Sequence, residues 1–374
     1  MEDSPLPERL PSPVRLPDLV VQSHRGPYRV RFDRAFAGLE QGLAPTEHLI
    51  VDAAVAELYR EPLARALAGR SVLRIEATEA NKSLERFPDY ALHLIERGIK
   101  RDHTLVAVGG GIVQDIVAFL AATLLRGLPW RFYPTTLLAQ ADSCIGSKSS
   151  VNVGGYKNQL GTFTPPQEIV IATEVLDTLD ATAVRSGIGE MLKVHIIAGW
   201  SEIRGLIADY PRLFTEPAVM ASAIARSLEI KRRKVEADKF DQGERQILNY
   251  GHSFGHAIKS ATDYAIPHGI AVTMGMDIAN FLSWKLGFMD QAVYEELRPV
   301  LVANAAGVER VAIPADRVLS LLAKDKKNVA DDLTLILMRG PGQVFRARYA
   351  NDARLQMLCR EALARWQPAE AMSA

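Results

Sequence analysis

TLVAVGGGIVQDIVAFLAATLLRG, residues 104–127, holds a strand, a turn and a helix in one run. The apolar run 104–108 ends directly in Gly109, Gly110 and Gly111. The helical pattern that follows closes at Gly127. A strand that enters a helix through glycines brings backbone N–H groups and a positive helix end up to a phosphate. Three glycines also remove the side chains that would block a pyrophosphate. The motif is GGG rather than GxGxxG, and a tight turn without a ligand accounts for it equally well.

Outward from this run, strand and helix patterns alternate. Before it, 28–36 and 48–52 read as strands, the second ending in Asp52. Then come a helix over 55–68 that Pro62 should disturb, a strand over 71–76 and a helix over 84–98. After it, 130–134 reads as a strand leading to Thr135 and Thr136. The alternation predicts a Rossmann-like α/β domain with a mostly parallel sheet, placed at 26–175. Next is AQADSCIGSKSSVNVGGYKNQLGTF, residues 139–163, with Asp142, Lys148, Lys157 and Asn158. Lysines and amides among glycines suit a phosphate or a polyol, and a solvated loop has the same composition.

From about residue 176 helices dominate, and 176–374 is expected to form a second, all-α domain. The helix over 180–197 places Glu190 and Lys193 on one face at i and i+3. Further helices are expected over 221–237, 269–287 and 292–306, with one strand at 333–338. QILNYGHSFGHAIKSATDYAIPHGIAVTM, residues 246–274, carries His252 and His256 four apart, on one face if helical, and His268 after a loop with Pro267. Two such histidines and a carboxylate such as Glu190 could meet at one metal, since catalytic zinc takes three protein ligands. HxxxH lacks the inner glutamate of HExxH, and ordinary polar residues satisfy the spacing too.

Composition narrows the function classes. The 374 residues are 48% hydrophobic and 24% charged with no net charge, which gives no bulk attraction to nucleic acid or anionic membrane. Cys144 and Cys359 are the only cysteines, too few for a disulfide framework and in keeping with a reducing cytoplasm. The first 25 residues carry acids and five prolines and read as a loose arm without signal-peptide character.

Nine separated motifs carry a family resemblance: VAVGGGIVQD, LLRG, PTTLLAQADS, SKSSVN, KNQLGTF, GEMLK, KVEADKFDQGERQILNYGHSFGHAI, HGIAVTMGM and DKKN. In order and spacing they resemble 3-dehydroquinate synthase and the wider sugar phosphate cyclases, over roughly residues 45 to 345. The resemblance implies an NAD-binding N-terminal domain and a metal-binding helical domain. It implies Glu190, His252 and His268 as ligands of Zn2+ (or Co2+). It implies NAD contacts at Asp52, Glu79, Lys82, Gly109, Gly110, Gly111, Asp115, Thr135, Thr136 and Thr178. Asp142, Lys193, Lys231 and Asn249 resemble residues that hold substrate hydroxyls. Lys148, Asn158 and Lys327 resemble phosphate ligands, with Lys157 in the same substrate loop. Arg245 matches the position that pairs with a substrate carboxylate, and His256 a histidine of that pocket. The catalytic set so implied is Lys148, Lys193, Lys231, Arg245, Asn249 and His256. Arg126 resembles an arginine that reaches a neighbouring subunit's phosphate, which implies a homodimer.

The chemistry of such a site explains its parts. Eliminating phosphate from a seven-carbon sugar phosphate needs an acidic proton beside a carbonyl. NAD+ can supply that carbonyl transiently and take its hydride back, so net redox is zero. The presence of Arg245, Asn249 and His256 favours a substrate acid, DAHP (3-deoxy-D-arabino-heptulosonate 7-phosphate), and so 3-dehydroquinate of the shikimate pathway. Two features depart from the synthases. Gln114 stands where they usually have glycine, and SKSSVNVGGYKN replaces the usual GKTAVN with a Pro-Leu-Gly before the KN, its GGYKN resembling the sedoheptulose 7-phosphate cyclases of secondary metabolism. A cyclase of that kind, giving a valiolone-type product, is one alternative. An NAD- and metal-dependent polyol dehydrogenase, which shares a GGG turn after a strand, is another.

Overall fold

The computed structural model describes residues 16–324, 328 and 332–367. Two compact units account for them. One comprises residues up to Leu179 together with Glu216–Phe240; the other comprises Asp180–Thr215 and the chain from Asp241 onward.

The first unit is built on a seven-stranded sheet. Its strands are β1 (Leu19–Ser23), β2 (Gly26–Phe32), β3 (Glu47–Asp52), β4 (Val72–Ile75), β5 (Thr104–Gly109), β6 (Trp130–Pro134) and, after a small hairpin of β7 (Val151–Val153) and β8 (Tyr156–Leu160), β9 (Glu168–Ile171). The order is β1-β2-β9-β6-β5-β3-β4, parallel throughout except for the β1–β2 edge hairpin. Residues 105–109 of β5 are buried, as expected of a central parallel strand covered on both faces. Since β4 lies on one side of β3 and β5 on the other, the strand order reverses at β3. Ligands of open α/β sheets bind beyond the carboxyl ends of the strands at such a point, here Asp52 and the three glycines.

Pro62 acts as expected: helix Ala53–Leu58 stops, and a single turn, Ala64–Leu67, follows it. Three readings are corrected. The loose arm does not extend to residue 25, because Leu19–Ser23 pairs as β1 in register with β2. Strand β9 has no counterpart in the sequence reading; four residues are too short to show a period. The helix Pro217–Ala237 belongs to the first unit rather than to one continuous domain from 176. It packs on β1 and on the π-helical turn Ala139–Ser143.

The second unit is helical, with Ala181–Ala198, His252–Ala261 and His268–Lys285 at its centre. It adds one antiparallel hairpin, β10 (Asp332–Met338) with β11 (Val344–Ala350), so the strand read at 333–338 has a partner and the unit is not free of strands. Helix His268–Lys285 is buried from Gly269 to Ser283, so it forms the core. Among the described residues no helix is long and apolar enough to cross a membrane.

Candidate active site

In the second unit two helices meet at glycines. A Cβ on Gly189 would lie 2.1 Å from the Gly269 carbonyl oxygen, and one on Gly269 would lie 1.7 Å from that of Ser186. Only glycine permits this approach. The neighbouring side chains, Glu190 and His268, are thereby brought face to face. His268 opens its helix directly after Pro267, where a loop position was expected. Its Nε2 stands 3.1 Å from Glu190 Oε1, and His252 Nε2 stands 3.5 Å from the same oxygen. Ligand atoms on a tetrahedral zinc with bonds of 2.0–2.1 Å lie roughly 3.3 Å apart.

Protonation states agree with that geometry. Glu190 is 1% exposed. Burial alone would raise its pKa, but Lys193, His252 and His268 together hold it well below the usual carboxylate value. Burial holds the His252 imidazole well below its ordinary value, against the pull of Glu190. A carboxylate and a neutral imidazole are the forms a metal requires. Glu190 Oε1 is a buried oxygen facing the His268 and His252 ring nitrogens, and with their lone pairs turned toward it a cation among the three would satisfy all of them. The residues therefore fit a zinc-type ion. His256 completes a second grouping, in which ligand atoms of His252, His256 and His268 lie within 4.8 Å of one another. The shorter separations and the buried carboxylate favour Glu190 over the exposed His256, which stays at the edge. Lys193 pairs with Glu190, and Arg245 is 4% exposed in the turn Glu244–Asn249. That turn packs on the helix of Glu190, and its last residue, Asn249, donates to the Gln246 carbonyl.

In the first unit the glycine turn is tight. A Cβ on Gly110 would meet Thr136 Cγ2 at 2.9 Å, and one on Gly109 would meet Val113 Cγ2 at 2.7 Å and Asp52 Cβ at 3.3 Å. Among the described residues no side chain caps the helix Gly111–Thr123, which leaves first-turn N–H groups for an anion. This fits a dinucleotide pyrophosphate. Thr135 N donates to the Gly109 carbonyl; Asp52 caps the helix after β3 through Ala54 N; Thr178 shares a hydrogen bond with Tyr59.

Beside the turn a polar network joins several of the expected residues. Lys82 Nζ lies 3.0 Å from Asp115 Oδ2 and donates to Asn158 Oδ1 at 2.9 Å. Lys157 faces Glu79 at 3.5 Å. Burial, relieved in part by Lys82, raises the Asp115 carboxyl to about 6. Asn152 ties the network together, donating to Glu79 and accepting from Asn158 N, yet sequence reasoning passed over it inside SKSSVN. Lys148 is exposed on the same segment. Elsewhere in this unit Lys231 Nζ approaches Asp142 Oδ1 at 2.7 Å. Arg126 is exposed at the end of the glycine-turn helix, and Lys327 lies outside the described residues.

Residues 72–186 match the family described as 3-dehydroquinate synthase N-terminal, and 187–328 the one described as 3-dehydroquinate synthase C-terminal. This chain belongs to the 3-dehydroquinate synthase family. A 3-dehydroquinate synthase of Cereibacter sphaeroides is 36% identical over 331 residues, covering 86% of this chain and 90% of that protein. Among solved structures, a 2-epi-5-epi-valiolone synthase from Streptomyces hygroscopicus with NAD+ and Zn2+ bound is similar at TM-score 0.77 and 27% identity, covering 91% of this chain and 96% of that one. A 2-deoxy-scyllo-inosose synthase complexed with carbaglucose-6-phosphate, NAD+ and Co2+ reaches TM-score 0.79 at 21% identity, over 92% and 100% of the two chains, a likeness of fold.

Proposed function

We propose that this chain is a phosphate-eliminating sugar phosphate cyclase that converts DAHP to 3-dehydroquinate and phosphate. The family membership across both units carries the reading, and the convergence of Glu190, His252 and His268 supports it. Gly109–Gly111 would hold the pyrophosphate of NAD+, which would supply reversible hydride acceptance at one ring alcohol and so a transient ketone. Glu190, His252 and His268 would hold a zinc ion, which would supply acidity to that hydroxyl. The 27%-identical 2-epi-5-epi-valiolone synthase, solved with NAD+ and Zn2+ bound, supports both assignments.

The remaining work falls to side chains of this chain. Asp142, held by Lys231, accepts from substrate hydroxyls, and Lys193 and Asn249 donate to them. Lys148 and Asn158, with Lys157 and Lys327, hold the phosphate. Arg245 forks onto the carboxylate in a bidentate pair. The proton beside the ketone is lost and phosphate leaves by β-elimination, with the departing phosphate as its base. Ring opening and an intramolecular aldol then close the carbocycle. We place the enzyme in the cytoplasm, where its two buried cysteines, joined in no disulfide, are at home. Arg126 completes the phosphate site of a second copy in a homodimer.

Substrate choice is the sharpest test. Purified protein with NAD+ and Zn2+ is offered DAHP and sedoheptulose 7-phosphate separately, and phosphate and cyclic product are identified. Turnover of DAHP is expected. Arg245→Ala should lose about 2–4 kcal/mol of transition-state binding with DAHP, roughly 30- to 1000-fold in kcat/KM. Cyclisation of sedoheptulose 7-phosphate with DAHP ignored would point to the valiolone-type alternative.

A further inference from the structure

Gln114 has no part in the chemistry above, yet it is a 4% exposed glutamine, bonded at both ends of its amide, in the first turn of the helix that follows the three glycines. Its Nε2 donates to the Ser143 carbonyl at 2.7 Å, and its Oε1 accepts from Ser143 Oγ at 2.6 Å. The amide orientation is forced, because a carbonyl can only accept. Ser143 ends the π-helical turn Ala139–Ser143, closed by Cys144 N on the Ala139 carbonyl at 3.0 Å. Such turns are rare and concentrate at functional sites.

The chain beyond this turn cannot continue as a helix, because Gly146 and Ser147 both take positive φ, 108° and 63°. The carbonyls of Asp142 and Ser143 therefore need partners from elsewhere. Lys231 Nζ supplies the first at 2.6 Å and Gln114 the second. The Asp142 carboxylate thus stands on a turn held from two sides, by the helix Pro217–Ala237 and by the glycine-turn helix.

We propose that Gln114 is a positioning residue, clasping Ser143 so that Asp142 is held at a fixed place relative to the cofactor turn. The clasp deepens the cyclase reading and rests on it for the role of Asp142. Gln114 acts through Ser143, to which both ends of its amide are bonded.

The test uses Gln114→Met, which keeps the length and loses both hydrogen bonds, and Ser143→Ala, which loses one. Three quantities are read: amide hydrogen exchange over 139–145 without ligands, the Kd of NAD+, and kcat with DAHP. For Gln114→Met, exchange is expected to rise tenfold or more, kcat to fall roughly 10- to 100-fold as a displaced contact does, and NAD+ Kd to stay within about threefold. Ser143→Ala should move the same readouts in the same sense by less, and decides the matter alone if Gln114→Met does not fold. Unchanged exchange or kcat overturns the proposal. So does a loss of NAD+ affinity as large as the loss of kcat, because the residue would then merely support the turn. If the wild type turns over no sugar phosphate, the cyclase reading fails, while the exchange and NAD+ arms still decide whether the clasp holds the turn.

Discussion

Two histidines show how one residue type serves opposite ends. His268 stands with its Nε2 3.1 Å from the buried Glu190 carboxylate, a separation that suits two ligands of one cation. His268→Ala is expected to leave the protein folded but without stoichiometric zinc, and to lower turnover at least 100-fold. Metal content by mass spectrometry checks this, and a fully metallated, active variant would refute the ligand set. His48 sits at the other end of β3, with Nδ1 2.7 Å from Ser71 Oγ and Nε2 2.9 Å from His103 Nδ1. Burial, reinforced by His103, Arg70 and His93, depresses its pKa to about 4. The unfolded chain takes up that proton near pH 6.5. Its stabilising contribution is therefore complete above pH 6.5 and is lost as pH falls toward 4. The melting temperature of His48→Gln should fall less steeply over this range than that of the wild type; parallel curves would remove His48 from the account.

At the scale of elements, the proposed metal site depends on helices that touch backbone to backbone. Gly269→Ala would drive a Cβ to 1.7 Å from the Ser186 carbonyl oxygen, and the helices bearing Glu190 and His268 must separate. A loss of about 1–3 kcal/mol in unfolding free energy is expected, with weakened zinc binding. Denaturant unfolding and zinc titration read both, and unchanged values would show that the crossing does not set the site. The glycine-turn helix and the histidine helix were legible because each has a long period and a sharp boundary. The four-residue strand β9 was not, nor was the π-helical turn, whose carbonyls are satisfied by Gln114 and Lys231 from far along the chain. The same holds for the histidines. Spacing placed His252 and His256 on one face, and the glycine crossing is the physical reason that Glu190 and His268 meet beside His252.

At the scale of the whole molecule, Leu125 and Arg126 are consecutive non-glycine residues with positive φ, 51° and 69°, and both are exposed. Such conformations cost energy and collect at functional sites. If Arg126 serves a second copy, Arg126→Ala alone should be folded and nearly inactive. Mixed with an inactive Lys193→Ala partner, it should regain activity in heterodimers; no regain in verified heterodimers would mean a self-contained site. The central claim is that NAD+ is borrowed and returned. Phosphate release and absorbance at the NADH wavelength are followed together, with excess DAHP, Zn2+ and one NAD+ per protein chain. The account predicts many phosphates per NAD+, 3-dehydroquinate as product and no lasting NADH, whereas NADH accumulating one for one with product would contradict it.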